Sequence, residues 1–300
     1  MFFTQSDLII LSRRVKESPR NISEEMRGWK WSEPPVLPPS HNLINVSDIT
    51  NGICHTLRNL YLKAKGVKMP STPLLIRGAV IHESYSFAIE TVKRLIYEGV
   101  KDLRSSMLDE FYNLLRRLEA KYDVGEQGEV AKAVWDYATN IYSSELEKAI
   151  GRSPYMTRDS LASLVVPFFV EYPLDGSLVG LGDVRADAFL PQIPMFAEVK
   201  TGAKREKHLL SLAGYAVAYE SVFETPVDFG MICYAQVNEK SFRHRCELIA
   251  LNDRLRASFY EERDRGMEII DKDQDPGLPK SCYRDCPYLT HCLGDKYVKG

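Results

Sequence analysis

Four ionisable residues, Asp183, Asp187, Glu198 and Lys200, stand within residues 178–202, LVGLGDVRADAFLPQIPMFAEVKTG, in two short segments that otherwise read as strands. A packed sheet places apolar residues at such positions, so the charges call for a chemical reason. Pro191-Gln192-Ile193-Pro194 separates residues 178–190 from 195–201. Its two prolines cannot donate to a ladder, which makes a hairpin the economical reading. Alternation then puts Asp183, Arg185 and Asp187 on one face, and Glu198 and Lys200 together on a face of their own strand. A turn centred near Leu190-Pro191 sets Asp183 opposite Glu198, whereas one centred on Gln192-Ile193 sets Asp187 there. In either register two carboxylates meet across the strands, which is destabilising unless a cation lies between them. Oxygen donors of this kind suit a hard divalent ion, Mg²⁺ or Mn²⁺. Lys200 can present its ammonium to the same point and stabilise an attacking hydroxide or a phosphate oxygen. Taken alone, the same pattern also describes the solvated face of an ordinary antiparallel hairpin.

A second concentration of reactive groups closes the chain. Cys282, Cys286 and Cys292 follow a C-x₃-C-x₅-C spacing in a Pro- and Tyr-rich stretch with little else to organise it, which is a strong metal-site signal. Three thiolates need a fourth ligand, and His291, Cys54, Cys233 and Cys246 are the candidates. Cys233 and Cys246 fall in strand-like segments and read as inert core residues. Cys54 would make the site tie the two ends of the chain together, a long-range staple. Zinc and an iron–sulfur cluster both fit four cysteines.

The chain has 300 residues, enough for one large domain or two modest ones. With 44% hydrophobic and 27% charged residues it has the composition of an ordinary globular protein. A net charge of −2 carries no global basic signature, yet a local groove can be positive while the total is not. No apolar run approaches the roughly 20 residues of a membrane span, and Met1-Phe2-Phe3 lacks the pattern of a signal peptide, so a cytoplasmic protein with no membrane association is expected. In that compartment six cysteines point to metal or redox chemistry more than to disulfides.

Hydrophobic periodicity supplies the elements that must hold these groups. Residues 5–17 form an amphipathic segment, and the Trp- and Pro-rich tract 29–39 reads as an irregular wrap or a partner-binding arm. Helices are expected over 47–65, capped by Ser47 or Asp48 and carrying Cys54; over 75–98, with Gly78, His82 and Glu83 near its start; and over 103–121 and 127–150. From Leu161 onward two β-rich runs join at Asp175-Gly176, a hairpin signal. The strand 195–201 follows, then a helix over 205–221 with Tyr215 and Tyr219, strands over 227–237 and 242–250, and a charged helix over 252–271. The fold class is α/β, with three strands, a helix and two strands after a helical first half.

The order of these signals resembles the RecB-like nucleases of the PD-(D/E)xK superfamily. The shared features are an N-terminal Cys, Gly78-x-x-x-His82-Glu83, Gly180-x-x-Asp183, Glu198-x-Lys200, a helix with a Tyr and a C-terminal Cys triplet. The branch with cysteines at both ends is similar to the CRISPR-associated exonuclease Cas-four family, including its archaeal variants, over about residues 47–292. The resemblance implies a RecB-like core. It divides the chain into an extension 1–46, a helical region 47–155 holding Cys54 and His82, a nuclease core 156–272 and a cysteine cluster segment 273–300. It implies His82, Asp183 and Glu198 as metal ligands with the Val199 carbonyl, and Asp183, Glu198, Lys200 and Tyr215 as catalytic residues. Cys54, Cys282, Cys286 and Cys292 would then bind an iron–sulfur cluster, [4Fe–4S] more often than [2Fe–2S]. The implied activity is a Mg²⁺- or Mn²⁺-dependent DNA exonuclease on single-stranded ends, trimming DNA for spacer acquisition in CRISPR antiviral defence beside the integrase complex. The rival is a non-catalytic iron–sulfur DNA-binding subunit of that complex. Ser211-x-x-x-Tyr215 departs from the family's Gln-x-x-x-Tyr, and a serine cannot reach as far toward substrate.

Overall fold

The computed structural model describes residues 1–122, 125, 127–238 and 241–294. Its centre is a five-stranded sheet in the order β1 (Phe169–Asp175), β2 (Asp183–Leu190), β3 (Met195–Lys200), β4 (Phe229–Asn238), β5 (Ser241–Ala250). Neighbours are antiparallel except β3 and β4, which run parallel because a helix, here α8 (His208–Phe223), must cross between them. The expected sequence of three strands, a helix and two strands is therefore present. The result is a mixed α/β protein with a mixed sheet.

Before the sheet come α1 (Gln5–Glu17), α2 (Val46–Thr50), α3 (Arg58–Ala64), α4 (Pro73–Glu98), α5 (Leu103–Glu119), α6 (Gln127–Arg152) and α7 (Arg158–Val165). After it come α9 (Asp253–Lys272) and the single turn of α10 (Leu289–Leu293). Thr72 caps α4 through its side chain, Pro73 supplies the preset first turn, and Gly99 closes the helix in the left-handed region. Three expectations need correction. The helix expected over 47–65 is broken into α2 and α3 by a loop at 51–57, where Leu57 sits at φ 60°. Residues 161–165 belong to α7 rather than to a strand, since apolar runs of that length do not distinguish the two. The link after Asp175 is likewise longer than a tight hairpin, holding a 3₁₀ turn at Ser177–Val179.

Each face of the sheet has its own core. One packs α4, α6 and the buried Met1, Phe2 and Phe3 against Ala188, Ala197, Val199 and Met231. The other packs α8, α9 and the N-terminal tract against Ala186, Phe189, Phe196 and Ile232. The tract around residues 29–39 is a wrap. The fully buried Arg263 guanidinium donates to the carbonyls of Pro35, Val36, Leu37 and Val179 and so holds it down.

A buried ionic knot fastens the wrap, α8 and α9. The fully buried Glu220 accepts from Arg256 through both carboxylate oxygens (2.7 and 2.9 Å), from Arg27 (2.8 Å), and from the backbone of Gly28 and Val227 (2.9 Å each). Arg256 uses its remaining donors on the carbonyls of Leu251, Met26 and Val227. Gly28 is a glycine for steric reasons, because a Cβ there would lie 2.1 Å from the Val217 carbonyl oxygen. Among the described residues, no helix is long and apolar enough to cross a membrane.

Candidate active site

The turn at 191–194 is centred on Gln192-Ile193, and the ladder it sets runs Leu190↔Met195, Phe189↔Phe196, Ala188↔Ala197. The next rung places Asp187 opposite Glu198, and there the ladder opens. One Asp187 oxygen lies 3.0 Å from His82 Nδ1 on α4, and the other accepts the Val199 backbone N–H at 2.6 Å. Glu198 accepts from the Tyr215 hydroxyl on α8 at 2.7 Å and from the Lys200 ammonium. The site thus draws one side chain from each helical layer onto the open end of a hairpin.

The opening coincides with a change of face. On β2, Ala186 packs in the α8 core but Ala188 in the α4 core; on β1, Tyr172 and Val170 divide in the same way. Two residues apart on a regular strand share a face, so both strands slip where Asp187 and Glu171 stand across from each other. Glu171 has φ +48°, a left-handed backbone rarely adopted by residues with a side chain. Its carboxyl is pushed up by burial and by the neighbouring Asp187 charge.

Burial opposes ionisation throughout, and specific partners decide each case. Asp187 is drawn below the usual carboxylate range by the His82 charge and hydrogen bond and by the Val199 N–H, against burial. His82 is correspondingly raised, its partner Asp187 outweighing desolvation. Burial pushes Glu198 up despite Lys200, with the Asp187 charge adding to it. Lys200 is raised because the Glu198 carboxylate outweighs its own desolvation, so the ammonium is kept charged. Tyr215 is raised well above its ordinary value by burial and then by Glu198, so its hydroxyl remains a donor.

Of the residues expected from sequence, His82, Glu198, Lys200, Val199 and Tyr215 come together and Asp183 does not. Asp183 is exposed at the far end of β2, in register with Asp175 on the edge strand. The Gly180-x-x-Asp183 match is explained otherwise: Gly180 lies at φ +76°, and a Cβ there would meet Met267 Cε at 2.2 Å. Asp187 takes the position opposite Glu198. Glu83 turns outward to Arg117 and Lys121. The Ser211 hydroxyl donates to the His208 carbonyl within its own helix, at 2.8 Å. Sequence reasoning missed Glu171, although a glutamate inside the apolar run PFFVEYPL was a usable signal.

The hard-donor set of Asp187, Glu198, His82 and the Val199 carbonyl has the chemistry for a divalent cation. The two opposed carboxylates each gain from positive charge between them. Among the described residues these donors pair with one another, and no three His, Cys, Asp or Glu close into a preformed cage. Cys54, Cys282, Cys286 and Cys292 are free thiols, and the Cys286 thiol is pushed up by burial first, with Cys54, Cys292 and Cys282 close enough to add to it. That soft-donor set has the chemistry of a metal or iron–sulfur site, and among the described residues it is not closed into a preformed one. Cys233 and Cys246, expected as inert core thiols, are instead joined as a disulfide across the β4–β5 rung they share.

His208, at the start of α8, is pushed down to about 4 by burial and then by Lys200 and Arg205, and its Nδ1 lies 3.3 Å from the Tyr234 hydroxyl. Because its folded value is below the unfolded one of about 6.5, the unfolded chain binds the extra proton between those values. Stability is therefore expected to be complete above about pH 6.5 and to fall as pH drops toward 4. Thermal melting across that range should show a shallower decline for His208→Gln than for wild type.

Residues 1–295 match the family model described as CRISPR-associated exonuclease Csa1. The chain is 48% identical over 296 residues to the CRISPR-associated exonuclease Csa1 of Saccharolobus solfataricus, covering 97% of this chain and 99% of that one. It is 29% identical over 292 residues to the CRISPR-associated exonuclease Csa1 of Thermoproteus tenax, covering 96% and 99% respectively. Among solved structures, the crystal structure of SSO0001 covers 69% of this chain and 95% of its own at 12% identity, with a TM-score of 0.26, too loose to bear on the fold.

Proposed function

From a chain that belongs to the Csa1 family of CRISPR-associated exonucleases, we propose a metal-dependent DNA exonuclease of the RecB-like, Cas-four type, acting on single-stranded ends. The observation that carries this reading is the opposition of Asp187 and Glu198 at the open end of β2 and β3, with Lys200 and His82 on the same gap. His82, Asp187, Glu198 and the Val199 carbonyl would hold Mg²⁺ or Mn²⁺, which supplies Lewis-acid stabilisation of phosphate charge. Lys200 holds its proton and brings a fixed positive charge beside the attacking water and the phosphate oxygens. His82 orients Asp187, and Tyr215 orients Glu198, so each carboxylate is fixed before substrate arrives.

Cys54, Cys282, Cys286 and Cys292 would hold a [4Fe–4S] cluster, or a [2Fe–2S] cluster in its place, which supplies a link between residues far apart in the chain. The biological task in this reading is trimming DNA ahead of spacer integration, beside the CRISPR integrase complex.

Asp187→Asn should lower cleavage of labelled single strands by at least about a hundredfold, whereas Asp183→Asn should leave it within about twofold. Equal losses in the two variants would remove Asp187 from this role. One observation favours a second reading. Ser211 turns its hydroxyl back to His208, as in a drifted site that binds DNA without cutting it. Strand binding by wild type with no products in Mn²⁺ would establish that reading.

A further inference from the structure

We propose that β5 is the interface of a homodimer, in which the edges of two copies pair antiparallel about a two-fold axis at Cys246 and join two five-stranded sheets into one. β5 ends the sheet, and among the described residues it pairs only with β4. The edge of a sheet presents unpaired N–H and C=O groups, which proteins commonly blunt with prolines, bulges or charge. At the opposite edge, β1 is blunted by Pro173 and by the left-handed backbone of Glu171. β5 instead keeps unbroken register over Ser241–Ala250 with no proline, and of its residues only Phe242 is buried.

Parity fixes what this edge offers. The Cα atoms of Cys233 and Cys246 lie 4.0 Å apart, the short spacing of a rung that carries no ladder hydrogen bonds. Farther along, the Leu251 N–H donates to the Asp228 carbonyl at 2.9 Å, so odd-numbered residues bond toward β4. His244, Cys246, Leu248 and Ala250 therefore turn their backbone groups outward. Ile249 packs in the α8 core, which places Arg243, Arg245 and Glu247 on that same side of the sheet.

Charge then selects one register. A two-fold axis at Cys246 sets Arg245 of each copy opposite the partner's Glu247, giving two opposite-charge pairs. An axis at Arg245 or at Glu247 sets that residue against itself, and one at His244 sets Arg243 against Arg245. An axis at Leu248 leaves both arginines without an acid. Arg245 is available for the pairing, since its side chain is 86% exposed and its Nε lies 3.8 Å from Glu247. Glu247 accepts from Lys204 at 2.8 and 3.1 Å, which leaves lone pairs on a carboxylate that is 32% exposed.

A second complementarity falls in the same register. Arg243 is exposed and comes to lie opposite the partner's Ile249. Ile249 borders a cleft of about 570 Å³ between α8, β5 and α9, whose lining holds Glu206, Glu261 and Glu262 against Lys207 and Arg254. Each copy thus brings a guanidinium to a cleft of the other with an excess of acid.

The axis also aligns the candidate active sites. Val199, Cys233 and Cys246 share one rung, so that rung runs through the axis to Val199 of the second copy. Five strand spacings separate the two sites, about 24 Å.

The test is sedimentation equilibrium of the full chain across a concentration series, which should find two chains per particle for wild type. Arg245→Glu and Glu247→Arg should each weaken the dimer at least about a hundredfold, because each sets like charges opposite at two symmetric points. The exchanged double variant, Arg245→Glu with Glu247→Arg, restores the pairs and should recover the dimer. In wild type, hydrogen exchange at the His244, Cys246 and Leu248 amides should slow as concentration rises, while Arg243, Arg245 and Glu247, bonded to β4, stay protected throughout. That readout needs no variant to fold. A monomeric wild type, amides at 244, 246 and 248 that exchange alike at every concentration, or a dimer indifferent to both single changes would overturn the interface. So would an exchanged variant that melts as wild type does yet stays monomeric.

Discussion

Glu198→Ala is expected to cut labelled single strands at least about a thousandfold more slowly than wild type, and Lys200→Ala to fall in the same range. In the proposed reaction both side chains would face the charge developing on the phosphate, Glu198 buried and Lys200 partly so, where one fixed charge counts for more than in water. Loss of Glu198 acts on the folded state in two opposite directions, so its cost should be smaller than that of an unopposed buried pair. Lys200 and Tyr215 lose an acceptor, but the mutual repulsion with Asp187, which raises Glu198, is relieved at the same time. A melting temperature close to wild type together with lost cleavage would separate chemistry from folding. A purified Glu198→Ala chain with full activity would sink the assignment.

Glu220→Ala should have the reverse signature, a large loss of stability from a residue with no place in the chemistry. Five donors converge on its carboxylate, and removing it leaves the Arg256 guanidinium fully buried with no counter-charge. Breaking a buried pair in this way costs about 3–5 kcal/mol. Glu220→Gln, which keeps the shape and some of the acceptors, should lose less. Urea unfolding followed by far-ultraviolet circular dichroism measures both. A loss below about 1 kcal/mol for Glu220→Ala would place the knot with exposed salt bridges and contradict the burial argument.

The sequence made the helical first half and the strand order legible because periodicity is a local property. His82, Glu198, Lys200 and Tyr215 were legible because each sits at a fixed offset in a recognisable segment. Asp187 was not, and the reason is register. Both turn placements satisfy the prolines at 191 and 194, and they differ in which aspartate meets Glu198. The Gly180-x-x-Asp183 pattern favours Asp183, whereas the glycine is accounted for by its place at φ +76° closing a 3₁₀ turn. Glu171 could be marked only by its charge inside an apolar run, since its left-handed backbone within a strand leaves no periodic trace. The loop at 51–57 was hidden because α2 and α3 each carry helical spacing and only the positive φ of Leu57 separates them. The Cys233–Cys246 bond depends on two strands aligning to the residue, which neither strand reveals by itself.

The paired slip at Glu171 and Asp187 also restricts how this protein can change by descent. Because both strands cross faces on the same rung, losing one residue from β1 or β2 alone would turn that strand's apolar residues toward the wrong core while its neighbour kept its own. Only matched changes in the two strands preserve both cores, and matched changes are rare in any single mutational step. The carboxylate pair and the packing around it are therefore coupled in the fold. Point substitutions of the acidic residues, by contrast, leave both strands in register, and in the proposed nuclease they would abolish cutting while keeping the fold.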